Sequence, residues 1–335
     1  MRLLASLTAL AIGAATAVPA QAAEFELKLS HMFPSTHFIQ TLALEPWAKA
    51  VEEKTGGRVH VTFFPAGSAF GDATKQFDQV RAGVVDIAVG IPSIPRGRHP
   101  RMVLIELPFT VPDSIVGTCA LMKVKDKIQP DFPDTHVLNF TVTQPSGVHT
   151  KSKVAKLEDL KGMRVRTPTP AITAMLEYIG ATAVGMPPTE IYESVERGVV
   201  DGNVMPWGPV GAFKLWEVLK FHLDAAINPV GMYTLINKAK YDSLPEDIRK
   251  VIDETSAEVF TKNWGQWWID TDQKAIDAAK ANGNEITPMT AEERDTWRQN
   301  LQGVIDTYLA KDSGLEVAEA KEIYAAMGEA VKECQ

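Results

Sequence analysis

Cysteine is scarce: the 335 residues hold two, Cys119 and Cys334. Neither forms a Cys-x-x-Cys pair, and no His-Glu-x-x-His run occurs, so the local spacings that hold zinc are missing. There is no Gly-x-Ser-x-Gly elbow and no P-loop, which removes two common signatures of nucleophilic and phosphoryl-transfer enzymes. Positive charge is short as well. Lys and Arg number 34 against 42 Asp and Glu, a formal net charge of -8. Nucleic-acid recognition needs a basic face, so that class is excluded. No block of like charge, internal repeat or low-complexity tract appears. After residue 22 no apolar run is long enough to span a bilayer.

What is present begins with a leader. Arg2 precedes a small and apolar stretch, Leu3 to Val18, and then Ala20-Gln21-Ala22. A basic start, an apolar middle and a small-x-small site make a secretion signal, with cleavage expected after Ala22. The alternative is a membrane anchor, but the stretch is short of the roughly 20 residues that spanning needs. No cysteine follows it, so a lipid anchor is also excluded. The mature chain is expected to be exported and soluble. An exported chain can use disulfides. Whether Cys119 and Cys334 meet in a bridge that ties down the C-terminus is left open by the sequence.

Along the mature chain, periodicity shifts between two and near 3.6. Residues 24–33 alternate and read as a strand; 36–57 has apolar residues at helical spacing and stops at Gly56-Gly57. Residues 58–67 are a strand, 72–84 a helix and 86–92 a buried strand. That βαβαβ run predicts a mostly parallel sheet with right-handed crossovers. A second copy starts near 136, with "HVLNFTVT" a strand, "SGVHT" a turn and "MRVRTP" a strand. "AITAMLEYIG" is then a helix, "ATAVGM" a strand, "TEIYESVERGV" a helix and "DGNVMPW" a strand. Pro245 opens a helical stretch over 246–282, about 55 Å long at 1.5 Å per residue. Such a helix outreaches one small lobe and is expected to cross both. The expected fold class is α/β, with two lobes. The first comprises 24–143 plus 231–270 and the second 144–230 plus 271–335.

Exported two-lobe α/β proteins bind ligands in the cleft, at strand carboxyl ends, and close around them. In "KGMRVRTPTP", Arg164 and Arg166 share one face of a strand while Val165 points the other way. Arg166 ends the strand, just before the Thr-Pro-Thr-Pro turn, and so reaches the cleft first. Its planar guanidinium suits a two-pronged grip on a carboxylate. The competing reading is an ordinary surface ion pair.

Several segments resemble the solute-binding receptors of tripartite ATP-independent periplasmic (TRAP) transporters, of the dicarboxylate-receptor type. They are "LEPWAKAVEEKTGGRVHVTFFPAG", "LEDLKGMRVRTP", "GATAVGMPPTEIYESVERGVVDGNVMPW" and "INKAKYDSLPEDIRKVI". Together they span nearly the whole mature chain. The resemblance implies a periplasmic receptor, not an enzyme, with a long helix across both lobes. Such a receptor hands an organic acid to membrane permease subunits. It also implies that Arg166 holds the ligand carboxylate and that Met205 and Pro188 are pocket positions. No cofactor and no metal ligand are expected, and a monomer is.

The chain departs from relatives that bind sugar acids, many of which carry asparagine where it has Met205. A second arginine common in the family falls, by ungapped counting, at Ser146. Both changes remove polar grip. A pocket with Met205, Trp207, Phe33 and Phe70 is expected to prefer a monocarboxylate with an apolar or aromatic body. His37, at a strand-to-helix corner with His31, is the expected second polar contact. The loop 91–101, with Arg96, Arg98 and Arg101, is expected at the cleft rim. It would solvate there, steer anions or meet the permease. The tryptophans of "NWGQWW" are expected to pack the long helix against both lobes. The alternative class is a binding protein for an ABC importer or a sensor, with similar lobes.

Overall fold

In the computed structural model, residues 23–335 are described. The expected leader, residues 1–22, lies outside them. The strands in chain order are β1 (Phe25–His31), β2 (Val59–Phe64), β3 (Ile87–Gly90), β4 (Thr135–Val142), β5 (Gly147–Thr150) and β6 (Arg164–Thr167). They continue with β7 (Thr182–Gly185), β8 (Gly202–Met205), β9 (Phe221–Asp224), β10 (Gly231–Asn237) and β11 (Glu285–Pro288). They form two sheets, ordered β2-β1-β3-β10-β4 and β11-β9-β5-β8-β6-β7.

Each sheet is a lobe buried on two faces. Alternation sorts the first sheet's side chains: Ile87 and Val89 pack on one side with Leu27, Leu29 and Trp47. Ala88 and Leu235 point to the other, with Leu121 and Phe132. β1 pairs parallel with β2 and β3, while β10 runs antiparallel to β3 and β4. In the second sheet β6 is parallel to β7 and β8, and β5 is antiparallel to β8 and β9.

The chain crosses between lobes after β4 and again before β10. The two crossings run side by side as a hydrogen-bonded ribbon. Thr143 N–H donates to the Val230 carbonyl (3.0 Å), Ser146 N–H to Asn228 O (2.7 Å) and Ile227 N–H to Ser146 O (2.8 Å). A third link is the long helix. Residues 246–281 are continuously helical, with a π-helical turn at Ala257–Thr261. Its buried seam keeps helical spacing but changes partner. Ile248, Ile252, Phe260, Trp264 and Trp268 pack with the first lobe, and Ala275 and Ala279 with the second. Gly265 lets the helix Ser114–Lys123 press against it; a Cβ there would stand 2.5 Å from Ile115 Cγ1.

Three expectations need correction. "SGVHT" is not a turn: Gly147–Thr150 is β5, wholly buried in the middle of the second sheet. Four residues are too few to display a period of two against flanking Pro and Ser. Residues 271–335 do not all belong to the second lobe. The last helix, Val317–Cys334, buries Ile323, Met327 and Val331 in the first lobe's core, beside Leu121 and Val124. Cys334 is bonded there to Cys119 of the helix Ser114–Lys123. Finally, the region 72–84 holds a shorter helix than its periodicity suggests, Gln76–Arg81.

Candidate functional site

Between the lobes lies a cavity of about 250 Å³. Its wall is built from strand ends. The first lobe gives Phe33 and His37 after β1, Ile91, Ser93 and Ile94 after β3, and Met232 on β10. The second lobe gives Arg166 and Pro168 at the end of β6, Pro187 and Pro188 after β7, and Met205 and Pro206 at the end of β8. Thr143 and Val230 of the hinge ribbon and Trp268 of the long helix complete it. This is where open α/β sheets present ligand groups.

Arg166 is the charged residue in this apolar wall. It is 5% exposed. Its Nε and Nη2 both donate to the Met186 carbonyl at 3.2 Å. Nη1 reaches Asn203 Oδ1 and the Val204 carbonyl only at 3.5 Å, the limit of a hydrogen bond. No described carboxylate pairs with it. Burial, aided by the like charge of Arg96, pushes its pKa down to about 10. The guanidinium is thus still charged at neutral pH, desolvated, and without a strong acceptor on its Nη1–Nη2 edge. A buried cation left unpaired is costly, and a ligand carboxylate on that edge would satisfy it.

Arg164 behaves differently. It is exposed and forms a two-pronged pair with Asp201, at 3.0 Å from Nε to Oδ2 and 2.7 Å from Nη2 to Oδ1. One pleat therefore separates a satisfied surface arginine from an unsatisfied buried one.

Of the residues expected at the site, Phe33, His37, Arg166, Pro188 and Met205 line the cavity. Three lie elsewhere. Trp207 stands behind the wall, its Nε1 donating to Asp224 Oδ1 at 3.3 Å. Phe70 meets Phe64 edge-on, with ring centroids 4.9 Å apart. Ser146 is buried in the hinge ribbon. Sequence reasoning passed over Met232 and Thr143, placed Ser93 only in a rim loop, and assigned Trp268 to packing against both lobes; Trp268 packs with the first lobe and lines the cavity. The helical seam through Trp264 and Trp268 was visible, but the lobe boundary it crosses was not.

Hydrogen bonding fixes the histidines. His37 Nδ1 accepts from Ile39 N–H (3.2 Å), so its proton sits on Nε2. Burial, with His31 nearby, lowers its pKa to about 4 and keeps it neutral. Its ring stacks on Phe33, with centroids 4.7 Å apart. His31 is committed to structure, bonded to Gln40 Oε1 at 3.0 Å.

Beneath Met205, His149 Nε2 donates to the Met205 carbonyl (2.9 Å), leaving Nδ1 to accept from His222 Nδ1 (2.8 Å). Burial first, and then His222, lowers the His149 pKa to about 3, so the ring is neutral. His222 Nε2 is then an acceptor, and Asn284 must turn its amide nitrogen toward it. This one-way chain locks the end of β8. From the other side Asp272 of the long helix accepts the Gly208 N–H at 2.6 Å. Burial raises the Asp272 pKa to about 7.

No group of three or more His, Cys, Asp or Glu among the described residues is placed to hold a metal ion. None of their helices is long and apolar enough to cross a membrane.

A family model for bacterial extracellular solute-binding proteins of family 7, DctP, matches residues 29–312. The chain is 27% identical over 282 residues to the 2,3-diketo-L-gulonate-binding periplasmic protein of Escherichia coli K12, covering 82% of this chain and 84% of that protein. Among solved structures it is similar to a marine metagenome TRAP solute-binding protein specific for aromatic acid ligands, in complex with metahydroxyphenylacetate. The TM-score is 0.84 and the identity 31%, over 92% of this chain and 99% of that one. A TRAP solute-binding protein from Rhodoferax ferrireducens T118, in complex with copurified benzoate, superposes with TM-score 0.83 at 28% identity, over 92% and 98% of the two chains.

Proposed function

The chain belongs to family 7 of the bacterial extracellular solute-binding proteins, and from that premise we propose that it captures a monocarboxylate with an aromatic body in the periplasm. Members of the family are receptors rather than enzymes, and TRAP receptors work with membrane transporter components. Here the receptor acts as a monomer and delivers its acid to the permease subunits. The observation that carries the ligand class is Arg166: a buried, charged guanidinium with a free edge in a wall of Phe33, Ile91, Pro188, Met205, Met232 and Trp268. One carboxylate satisfies the charge, and the cavity lining offers no separate cation, away from the Arg166 corner, for another. The remaining wall rewards apolar and aromatic surface at roughly 25 cal/mol per Å². The aromatic acids held by two relatives at 31% and 28% identity support the same reading.

Capture needs no chemistry. The acid enters the open cleft, its carboxylate docks on Arg166, and its ring fills the cavity against Phe33 and Met205. Closure about the hinge ribbon then buries it and presents the loaded surface to the permease. His37, with its proton on Nε2, is placed to donate to a hydroxyl or carbonyl on the ligand. A thermal-shift screen over aliphatic, aromatic and sugar acids tests the reading, because a bound ligand raises the melting temperature. Aromatic monocarboxylates should give the largest shifts in the wild type and none in Arg166→Ala. An Arg166→Ala affinity within about threefold of wild type would sink the assignment.

A further inference from the structure

The loop 91–101 carries three arginines, and the structure treats them differently. Arg98 pairs with Asp78, and Arg101 with Asp131 and Glu319. Arg96 is exposed and has no carboxylate partner among the described residues. Its side chain reaches from the first lobe across the cleft to the second. A Cβ built on Gly185 would stand 2.9 Å from Arg96 Nη2 and 3.7 Å from its Cζ. Gly185 ends β7, and the next residue, Met186, gives the carbonyl that receives Arg166 Nε and Nη2. One guanidinium from each lobe therefore converges on the same two-residue corner. The like charge of Arg96 is felt at Arg166, where it adds to burial in disfavouring the proton. Ser93 and Ile94, in the same loop, already line the cavity that Arg166 ends.

We propose that Arg96 is a second carboxylate contact, supplied by the lobe opposite Arg166, so that the ligand's charge is what draws the lobes together. The inference rests on Arg166 being the carboxylate clamp. Two guanidinium groups brought to one corner repel when no anion lies near them. A carboxylate between them turns that repulsion into two attractions, whereas a neutral ligand leaves it standing.

Gly185 makes the idea separable from simple steering. It is exposed and its φ lies outside the left-handed region, so alanine fits its backbone. The nearest atoms a methyl would meet belong to the flexible tip of Arg96. Gly185→Ala thus displaces the tip and leaves the charge on the loop. A rim charge that only steers ligands changes the association rate and its salt dependence, while a contact changes dissociation.

The test is stopped-flow tryptophan fluorescence, with Trp268 in the cavity wall as reporter. The probes are 3-hydroxybenzoate, benzoate and meta-hydroxyphenylacetate. Arg96→Gln should weaken binding about tenfold, mostly through faster dissociation. Gly185→Ala should speed dissociation similarly at an unchanged association rate, and Arg96→Lys should recover part of the loss. An Arg96→Gln protein altered only in association, or a Gly185→Ala protein identical to wild type, overturns the inference. In both cases loss of binding in Arg166→Ala leaves the clamp standing. Wild-type affinity in Arg166→Ala, or no binding of any of the three acids to the wild type, brings down both.

Discussion

Replacing Arg166 by methionine should separate what the residue does for the ligand from what it does for the fold. The guanidinium is 5% exposed, no described carboxylate pairs with it, and its pKa is pushed down to about 10. From an ordinary value near 12.5, that corresponds to roughly 3 kcal/mol of disfavoured charge. The sign follows from linkage. A base whose folded pKa is depressed destabilises the fold while it is charged. The penalty therefore holds at all pH values below about 10 and is relieved only as pH rises through 10. Methionine removes that penalty but leaves the Met186 carbonyl without its donors, which returns about 1–3 kcal/mol. The net expectation is an empty protein as stable as wild type, or up to about 2 kcal/mol more stable. That amounts to a melting temperature up to a few degrees higher. Binding of an aromatic acid should meanwhile weaken by about 2–5 kcal/mol, or roughly 30-fold to several thousandfold. Differential scanning calorimetry of the empty proteins and titration calorimetry with 3-hydroxybenzoate measure both. A fall of several degrees in the ligand-free variant, with affinity retained, would show instead that Arg166 is a structural cation.

Exchanging Cys119 and Cys334 for serine together should cost about 2–4 kcal/mol of unfolding free energy. Hydrogen exchange should rise in Val317–Cys334 with ligand affinity unchanged, because that helix packs on the first lobe away from the cavity. Unchanged exchange there would contradict it. Asp272 has a raised folded pKa of about 7, so the native state holds its proton where the unfolded chain has lost it. Stability should therefore fall, on the order of 2–4 kcal/mol, as pH rises from about 4 to 7. Denaturant midpoints across that range should flatten in Asp272→Asn, whose side-chain oxygen still accepts from Gly208; an unchanged slope would refute the assignment. Met205→Asn puts an amide into the apolar wall and should weaken aromatic acids about tenfold by calorimetry, while gaining nothing in melting temperature. Equal aromatic affinity would mean Met205 does not meet the ligand.

The parts of this molecule legible in its sequence were those set by local rules. Alternation in "MRVRTP" placed Val165 in the core and left the arginines on the other face. The uninterrupted run after Pro245 gave the long helix almost to its ends. The first βαβαβ unit likewise follows from short-range pattern. What pattern could not supply was partner choice. Position at the strand end singled out Arg166 over Arg164, but the partner that satisfies Arg164 was out of sight: Asp201, 37 residues downstream, at the exposed end of the strand. β5 is four residues of a buried central strand whose partners, β8 and β9, come more than 50 residues later. The last helix carries an ordinary amphipathic stripe, and its lobe shows only in three dimensions, where Ile323, Met327 and Val331 enter the first lobe's core and Cys334 bonds to Cys119. Trp207 illustrates the converse error: a Pro-Trp-Gly corner looked like a cleft residue, but the indole turns inward to Asp224 and the cavity is walled by its neighbours Met205 and Pro206.

On the proposed function, the unpaired buried guanidinium of Arg166 selects a carboxylate on an aromatic body. Titration calorimetry of the wild type with 3-hydroxybenzoate and with its neutral analogue, 3-hydroxybenzamide, tests it most directly. The two ligands share ring, hydroxyl and size, and differ in charge at the position facing Arg166. The acid should bind tightly and the amide at least a hundredfold more weakly, about 3 kcal/mol. Equal affinities would contradict it.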